Sequence, residues 1–271
     1  MKVVLKLKKE LNKILDLRSL SNLNGKPISL KELCKIKFLY GRRIVAFEDI
    51  FSFKLLEDKK IKNEIYINSS SKYFHYLGYK WTEDKIIVQG EVGSYLGFGM
   101  ISGDIEINGN SGDFLGSEMT GGKIIVYKDA GNFVGSSFLG NKIGMNGGEI
   151  LIHGNAGKYL ANFMRRGIII VKGNVDNYCC FNMIAGSVVI CKRIAMPFGA
   201  MMKRGSLIIK KNQNTIGPNF KKCEAYDLVF LKVFCNYLKR KYGINLDSET
   251  LPDRYVGDCN NSGLAEVLIL N

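Results

Sequence analysis

Four prolines, two histidines and one tryptophan among 271 residues leave little material for several familiar kinds of protein. Collagen-like chains need abundant proline and about one-third glycine, so that class is excluded. The seven cysteines are odd in number and form no Cys-x-x-Cys pair, which predicts reduced thiols in a cytoplasm rather than a disulfide framework. No stretch approaches the roughly 18 uncharged apolar residues of a membrane span. Lysines interrupt the opening MKVVLKLKKELNK, so it does not read as a signal peptide. Acids are scarce as well: 25 Asp and Glu face 39 Lys and Arg, a net charge of +14. The hydrophobic share, 46%, is ample for a core and argues against disorder.

What the chain has in excess is glycine, 30 residues. Gly103, Gly122, Gly148, Gly167, Gly186 and Gly205 recur every 19 residues, apart from one interval lengthened by a seven-residue insertion. Such a period is the signature of a solenoid. Two and four residues after each of these glycines stands a branched aliphatic residue, as at Ile105 and Ile107, Ile150 and Ile152, or Leu207 and Ile209. That alternation predicts a short strand with one buried face. A helix would carry several internal glycines, each costing about 1 kcal/mol. Gly-Asn-x-Gly strings at Gly109–Gly112 and Gly154–Gly157 read as corners, since Gly and Asn tolerate left-handed backbone. Met100, Met119, Met145, Met164, Met183 and Met202 each precede the next glycine by three residues and predict an internal methionine ladder.

The expected fold is therefore all-β dominated: a single-stranded right-handed β-helix of about seven 19-residue coils. Residues 84–211 form the repeat domain, 1–83 an N-terminal α/β cap and 212–271 a C-terminal α-helical extension. One degenerate coil closes the cap, with Gly78, Trp81 and Asp84 at the Gly, Met and anchor positions. Within the extension, residues 226–243 predict an amphipathic helix with basic residues near its end and a terminal glycine. Its apolar face is expected either over the end of the solenoid or against a partner.

Coils of the form Gly-x-x-Gly-x-x-x-Gly-x-x-Met-x-x-Gly resemble a β-helix found in two families. One is formylmethanofuran dehydrogenase, in its C-type subunit, and the other is glutamate synthase, in its C-terminal GXGXG domain. The runs Met-Arg-Arg-Gly at 164–167, Met-Ile-Ala-Gly at 183–186 and Met-Lys-Arg-Gly at 202–205 resemble the dehydrogenase version more closely. So do the insertion Ser136–Gly144, the stretch Leu39-Tyr-Gly-Arg-Arg43, and Asp49-Ile-Phe51. The tail, with Tyr255-Val-Gly-Asp258 and Glu266-Val-Leu-Ile269, is similar to the bacterial form of that subunit, which belongs to a formyltransferase/hydrolase complex. The resemblance implies a non-catalytic scaffold beside three other components. These are an amidohydrolase-like subunit, a formyltransferase subunit, and a relative of the archaeal metal–pterin subunit. That complex moves formyl groups between tetrahydromethanopterin and a methanofuran-type carrier and releases formate, with metal in the amidohydrolase-like component. The resemblance implies no catalytic, cofactor-binding or metal-binding residue in this chain. A tungsten- or molybdenum-dependent archaeal-type complex and a stand-alone basic solenoid are the alternatives. The chain departs from the pattern at Ala161, Asp176, Cys180 and Ala195, which replace glycine, so strain is expected wherever a positive φ is required.

Read without that likeness, the residues offer little chemistry. His153 occupies an outward strand position, and His75 lies among aromatics without a carboxylate nearby in sequence. Two isolated histidines give no metal-ligand spacing. Cys179 and Cys180 read as filling space, whereas Cys191 is outward and invites the question of reactivity. Each glycine run leads into another strand, so no Rossmann or P-loop context exists. The aromatics Tyr95, Phe114, Phe133, Tyr159 and Tyr178 sit beside aliphatics at an expected core position, which argues against nucleic acid. Charge carries more information. Residues 84–122 hold one Lys against six acids, whereas 123–205 hold eleven bases against three acids. Arg165-Arg166 and Lys203-Arg204 occupy the same place in coils two apart, and Lys192-Arg193 another corner. These six are the candidate contacts for an anionic partner, such as the polyglutamate tail of a methanofuran-type carrier.

Overall fold

The computed structural model describes residues 2–56, 63–210, 216–224, 227–247 and 249–270. In chain order the elements begin with β1 (Lys2–Leu7), β2 (Leu15–Asp16), α1 (Leu30–Cys34), β3 (Lys37–Tyr40) and β4 (Arg43–Ala46). They continue through α2 (Phe47–Ile50), β5 (Phe51–Leu56), β6 (Glu64–Ile67) and β7 (Phe74–His75). The repeats supply β8 (Lys85–Val88), β9 (Asp104–Ile107), β10 (Lys123–Val126) and β11 (Asn146–Ile152). After them come β12 (Arg166–Val171), β13 (Ser187–Ile190) and β14 (Arg204–Lys210). The C-terminal elements are β15 (Lys221–Cys223), α3 (Val229–Tyr242), β16 (Asp253–Gly257) and β17 (Leu264–Leu270). Residues 211 and 226, the expected end of the repeat domain and start of the helix, lie outside the described residues.

The fold is mostly β and β-helix-like. One large sheet runs in the order β15-β16-β17-β14-β13-β12-β11-β10-β9-β8-β6-β1-β5, and it is parallel from β1 to β17. Register follows the sequence repeat: Ile105 pairs with Ile124, Ile124 with Ile150, Ile150 with Ile169, Ile169 with Val188, and Val188 with Leu207. Both aliphatic columns are fully buried. A second buried side runs Leu77, Leu96, Leu115, Val134, Leu160, Cys179 and Phe198, and a third is bridged through Ser111, Ala130, Ala156, Val175 and Ile194.

The methionine ladder is buried as the spacing predicts, and it explains the glycine period. All six anchor glycines have φ between +83° and +105°, a region that side-chain-bearing residues rarely adopt. A Cβ on Gly122 would lie 2.7 Å from the Met100 methyl, on Gly148 2.6 Å from that of Met119, and on Gly167 2.7 Å from that of Met145. Met100, Met119, Met145, Met164 and Met183 thus each fill the space left open by the glycine one coil further on. Trp81 takes the methionine position at the start of the stack, buried and donating from Nε1 to Asp84 O at 3.0 Å.

Several sequence expectations need correction. The Gly-Asn-x-Gly strings are not left-handed; Gly109, Gly112, Gly154 and Gly157 are glycine because the previous coil passes too close for a Cβ, as at Gly112, 2.8 Å from Gly93 C. Left-handed backbone belongs instead to the aromatic positions, with φ +66° at Tyr95, +61° at Phe114 and +60° at Phe133. Of the four glycine replacements, Ala161 and Cys180 hold that conformation at +62° and +58°, while Asp176 and Ala195 need none. The aromatics are not core either. They stack on the outside in the order Tyr76, Tyr95, Phe114, Phe133, Tyr159, Tyr178, with centroids 4.5–5.1 Å apart and planes within 12°.

The extension is not simply helical. β17 continues the parallel sheet, and β16 and β15 turn back antiparallel upon it, as β5 does on β1 at the other end. The outermost strand at this end, β15, is only three residues long, which leaves little edge for another chain to pair with. Asp258, 2% exposed, fixes the turn by accepting from Met201 N and Asn260 N, both at 2.8 Å. Helix α3 lies neither over an end nor free. Leu231, Phe234, Cys235 and Leu238 cover the outer face of the sheet at Ile125, Leu151, Ile170, Val189 and Ile208.

Gly167→Ala is expected to cost about 1–3 kcal/mol through its positive φ and the Met145 contact. Met145→Ala is expected to cost about 2–5 kcal/mol. Together they should cost measurably less than the sum, because removing the methyl relieves one contact of the new Cβ, while the positive φ and the approach of Gly148 O at 2.8 Å remain. Urea unfolding of the two single variants and the double variant measures the coupling.

Candidate functional site

The corner that follows each methionine carries the first candidate residues. Arg165 N and Arg166 N both donate to Met145 O, Ile184 N and Ala185 N to Met164 O, and Lys203 N to Met183 O. The backbone therefore places Arg165-Arg166 and Lys203-Arg204 on one corner, two coils and about 10 Å apart. All four side chains are exposed, and none pairs with a carboxylate among the described residues. Lys192 and Arg193, also exposed, belong to a different corner, where Arg193 N donates to Asn174 Oδ1 at 3.2 Å. The six candidates thus make two separate patches.

Beside the first patch the insertion forms a cavity of about 390 Å³, lined by Glu118, Thr120, Asn141, Lys142, Ile143, Gly144 and Asn146. Asn146 lies directly opposite Arg166 in the sheet register, so cavity and basic corner adjoin. Glu118 ties the insertion down, accepting from Asn141 Nδ2 at 2.6 Å and Phe138 N at 3.0 Å. Phe138 then reaches back to Tyr95, Phe98 and Phe114.

Other single residues resolve plainly. His75 has a carboxylate neighbour that sequence distance hid, for Asp16 pairs with it between β2 and β7. Burial pushes its pKa down, and Asp16 opposes that only in part. His153 packs against Tyr127 with the rings tilted and their centroids 4.8 Å apart, and burial followed by Lys172 lowers its pKa. Cys191 is not a poised nucleophile: it packs against the hydrophobic layer under α3, and burial raises its pKa despite Lys210 and Lys172. Cys179 and Cys180 fill the core. Among the described residues no cluster of three or more His, Cys, Asp or Glu is placed to hold a metal ion. No described helix is long and apolar enough to cross a membrane.

Two polar features go beyond what the residues suggested in sequence, where Asn110 and Asn155 were expected only as corner residues. The first is periodic, and its spacing was visible. Asn110, Asp129, Asn155 and Asn174 form a ladder in which each Oδ1 accepts the backbone N–H one coil on, at 2.6–3.2 Å, ending at Arg193. The second is a carboxylate, Glu149, that clasps α3. It accepts from Lys241 Nζ at 2.6 Å and from the hydroxyls of Tyr237 and Tyr242, with Lys123 over the Tyr242 ring. Burial would raise the pKa of Glu149, but the three hydrogen bonds and the Lys241 charge outweigh it and leave it lowered.

This geometry is that of a β-helix-like fold with surface patches, and the comparisons agree with the fold. A family model described as the GXGXG motif matches residues 59–230, and the chain belongs to that family. No curated protein matches. Among solved structures the chain is similar to one from the formyltransferase/hydrolase complex (FhcABCD) of Methylorubrum extorquens, determined in complex with methylofuran. Identity is 29%, 98% of each chain is covered, and the TM-score is 0.87. This match supports the resemblance to the β-helical component of that complex drawn from the residues.

A carboxylate with a lowered folded pKa stabilises fully above its unfolded value, ordinarily 4.5, and loses that contribution as pH falls through the folded value. The docking of α3 should accordingly weaken on acidification below about pH 4.5. Glu149→Gln should cost on the order of 1–2 kcal/mol at pH 7 and flatten the dependence. Amide exchange of residues 229–242 between pH 7 and 4 measures both effects.

Proposed function

We propose that this chain is the β-helical structural subunit of a formyltransferase/hydrolase complex, and that it performs no bond chemistry of its own. The observation that carries the reading is the end-to-end likeness, which takes in 98% of this chain and 98% of the matched one. On this reading the molecule is a right-handed β-helix of about seven 19-residue coils working in the cytoplasm. Its partners are the amidohydrolase-like subunit, the formyltransferase subunit and the relative of the metal–pterin subunit. Formyl groups pass between tetrahydromethanopterin and a methanofuran-type carrier and leave as formate, with the metal held by the amidohydrolase-like partner. The matched complex is of formyltransferase/hydrolase type, which favours this assignment over the tungsten or molybdenum redox type.

Within such an assembly the corner bearing Arg165, Arg166, Lys203 and Arg204 docks an acidic partner surface or steers the polyglutamate tail of the carrier. Unpaired cations in register along a rigid corner raise the rate of encounter with an anion. Nucleic acid is a poorer occupant of the surface, for a reason different from the one the sequence suggested. The aromatic rings lie on the outside, but their faces are covered by one another, and base stacking needs a free face.

Affinity purification of the chain from its native cell should recover three further chains, among them a formyltransferase and an amidohydrolase. Recovery as a stable monomer would count against the assignment. Replacing Arg165, Arg166, Lys203 and Arg204 together with Ala should weaken assembly or carrier turnover several-fold at low salt, with the gap closing as salt rises. Unchanged behaviour at low salt would remove the basic corner from the mechanism.

A further inference from the structure

The stretch Leu39-Tyr-Gly-Arg-Arg43 has no part in the coils. It is the turn of a hairpin, β3 to β4, in the small sheet ordered β4-β3-β2-β7. Among the described residues β4 pairs with β3 alone, so its other side is an open edge. Alternate residues of an antiparallel strand turn their N–H and C=O away from the partner. Ala46 marks which ones do so here, for its N–H reaches Asp49 Oδ2 at 3.0 Å instead of β3. Ile44, two residues earlier, has the same orientation and presents its N–H and C=O to the open edge.

The side chains around that edge are unusual for a surface. Ile44 is 74% exposed and lies opposite Leu39, itself 44% exposed, with Ile14 at 49% beside the turn, where Gly41 N donates to Ile14 O. Arg42 and Arg43 are exposed, and neither pairs with a carboxylate among the described residues. The opposite end of the hairpin carries Lys37, across from Ala46. An open edge carrying a bare apolar pair between cations is shaped for one kind of occupant. Natural sheets ordinarily blunt an exposed edge with charge or cover it, and here the charges flank the apolar pair rather than interrupt it.

We propose that β4 receives an extended strand from a partner protein chain, with an apolar residue over Ile44 and acidic residues beside Arg42 and Arg43. Backbone hydrogen bonds to Ile44 would supply affinity, and the apolar and acidic side chains would set register and specificity, as in strand addition generally. This inference rests on reading the chain as one component of a multi-chain complex.

Amide hydrogen exchange of the full chain, free and within its purified complex, tests it. Peptides covering residues 42–46 should exchange about ten-fold more slowly, or slower still, in the complex. The variant Arg42→Glu/Arg43→Glu, at two exposed positions, should keep the melting temperature of the free chain. It should enter the complex about ten-fold less well at low salt, with the deficit shrinking as salt rises. A complex in which residues 42–46 exchange as fast as in the free chain overturns the proposal and leaves the proposed function standing. Protection that survives undiminished in the charge-reversed variant overturns the acidic partner. Failure of the unaltered chain to enter any complex overturns the proposal and the proposed function together.

Discussion

The structure depends on one contact repeated through the stack: a methionine methyl seated in the space above a glycine one coil later. The positive φ of Gly122, Gly148, Gly167, Gly186 and Gly205 brings the backbone round the corner, and the missing Cβ leaves room for Met100, Met119, Met145, Met164 and Met183. Neither residue type is useful there without the other. Glycine alone would leave a void in an interior that is otherwise close-packed, and methionine alone would strike a Cβ. Strand hydrogen bonds set the separation of the coils, and the contact, made once per coil, holds the corners to the same register. The aliphatic pairs, the Asn and Asp ladder and the aromatic stack all inherit the same spacing.

That inheritance explains how side-chain-bearing residues hold left-handed backbone at so many corners. Such a residue costs of order 1 kcal/mol or more against glycine. In Tyr95, Phe114, Phe133 and Tyr159 the twist aims each ring flat onto the next, and aromatic pairs of this kind recover about 0.5–1.5 kcal/mol apiece beyond buried area. Ala161 and Cys180 have no such ring, but both are fully buried and sit between coils already in register. Neighbouring coils hold them in a conformation they would not choose alone.

The repeat, its strands and the methionine ladder were legible because they follow from a period and from side-chain alternation, both linear properties of the chain. What was misjudged lay in the direction across the stack. The placement of α3 had a signal: after Glu106, the middle residue of five successive strands is apolar, Ile125, Leu151, Ile170, Val189 and Ile208. Runs that are apolar on both faces mark strands covered on both sides, and a helix of the matching polarity stood later in the chain. The aromatic column was misplaced because a ring next to a buried leucine reads as core when the φ at that ring is unknown. His75 and Asp16 are far apart in the chain, and only the pairing of β2 with β7 joins them. Among the candidate contacts, the shared corner of Arg165-Arg166 and Lys203-Arg204 followed from the period, whereas the cavity beside it depended on how the insertion folds back.

A stack this regular also limits where function can lie. In a column every side chain is bounded above and below by its equivalents, so its surface is spent on its own kind. Only positions that break the period face anything else. In this chain the breaks are few. The basic pairs interrupt a corner that is otherwise uncharged from Met100 onward, the insertion covers coils it does not belong to, and α3 covers the sheet from Ile125 onward. The β3–β4 hairpin lies outside the stack altogether. The change of charge sign near residue 122 falls close to where α3 coverage begins, so the two halves of the stack differ both in what covers them and in what they attract. A rigid body with distinct patches at fixed separations is what a scaffold for several different chains requires. On the proposed reading, specificity for those chains would reside in these irregular segments, while the repeated glycines and methionines would hold the distances between them.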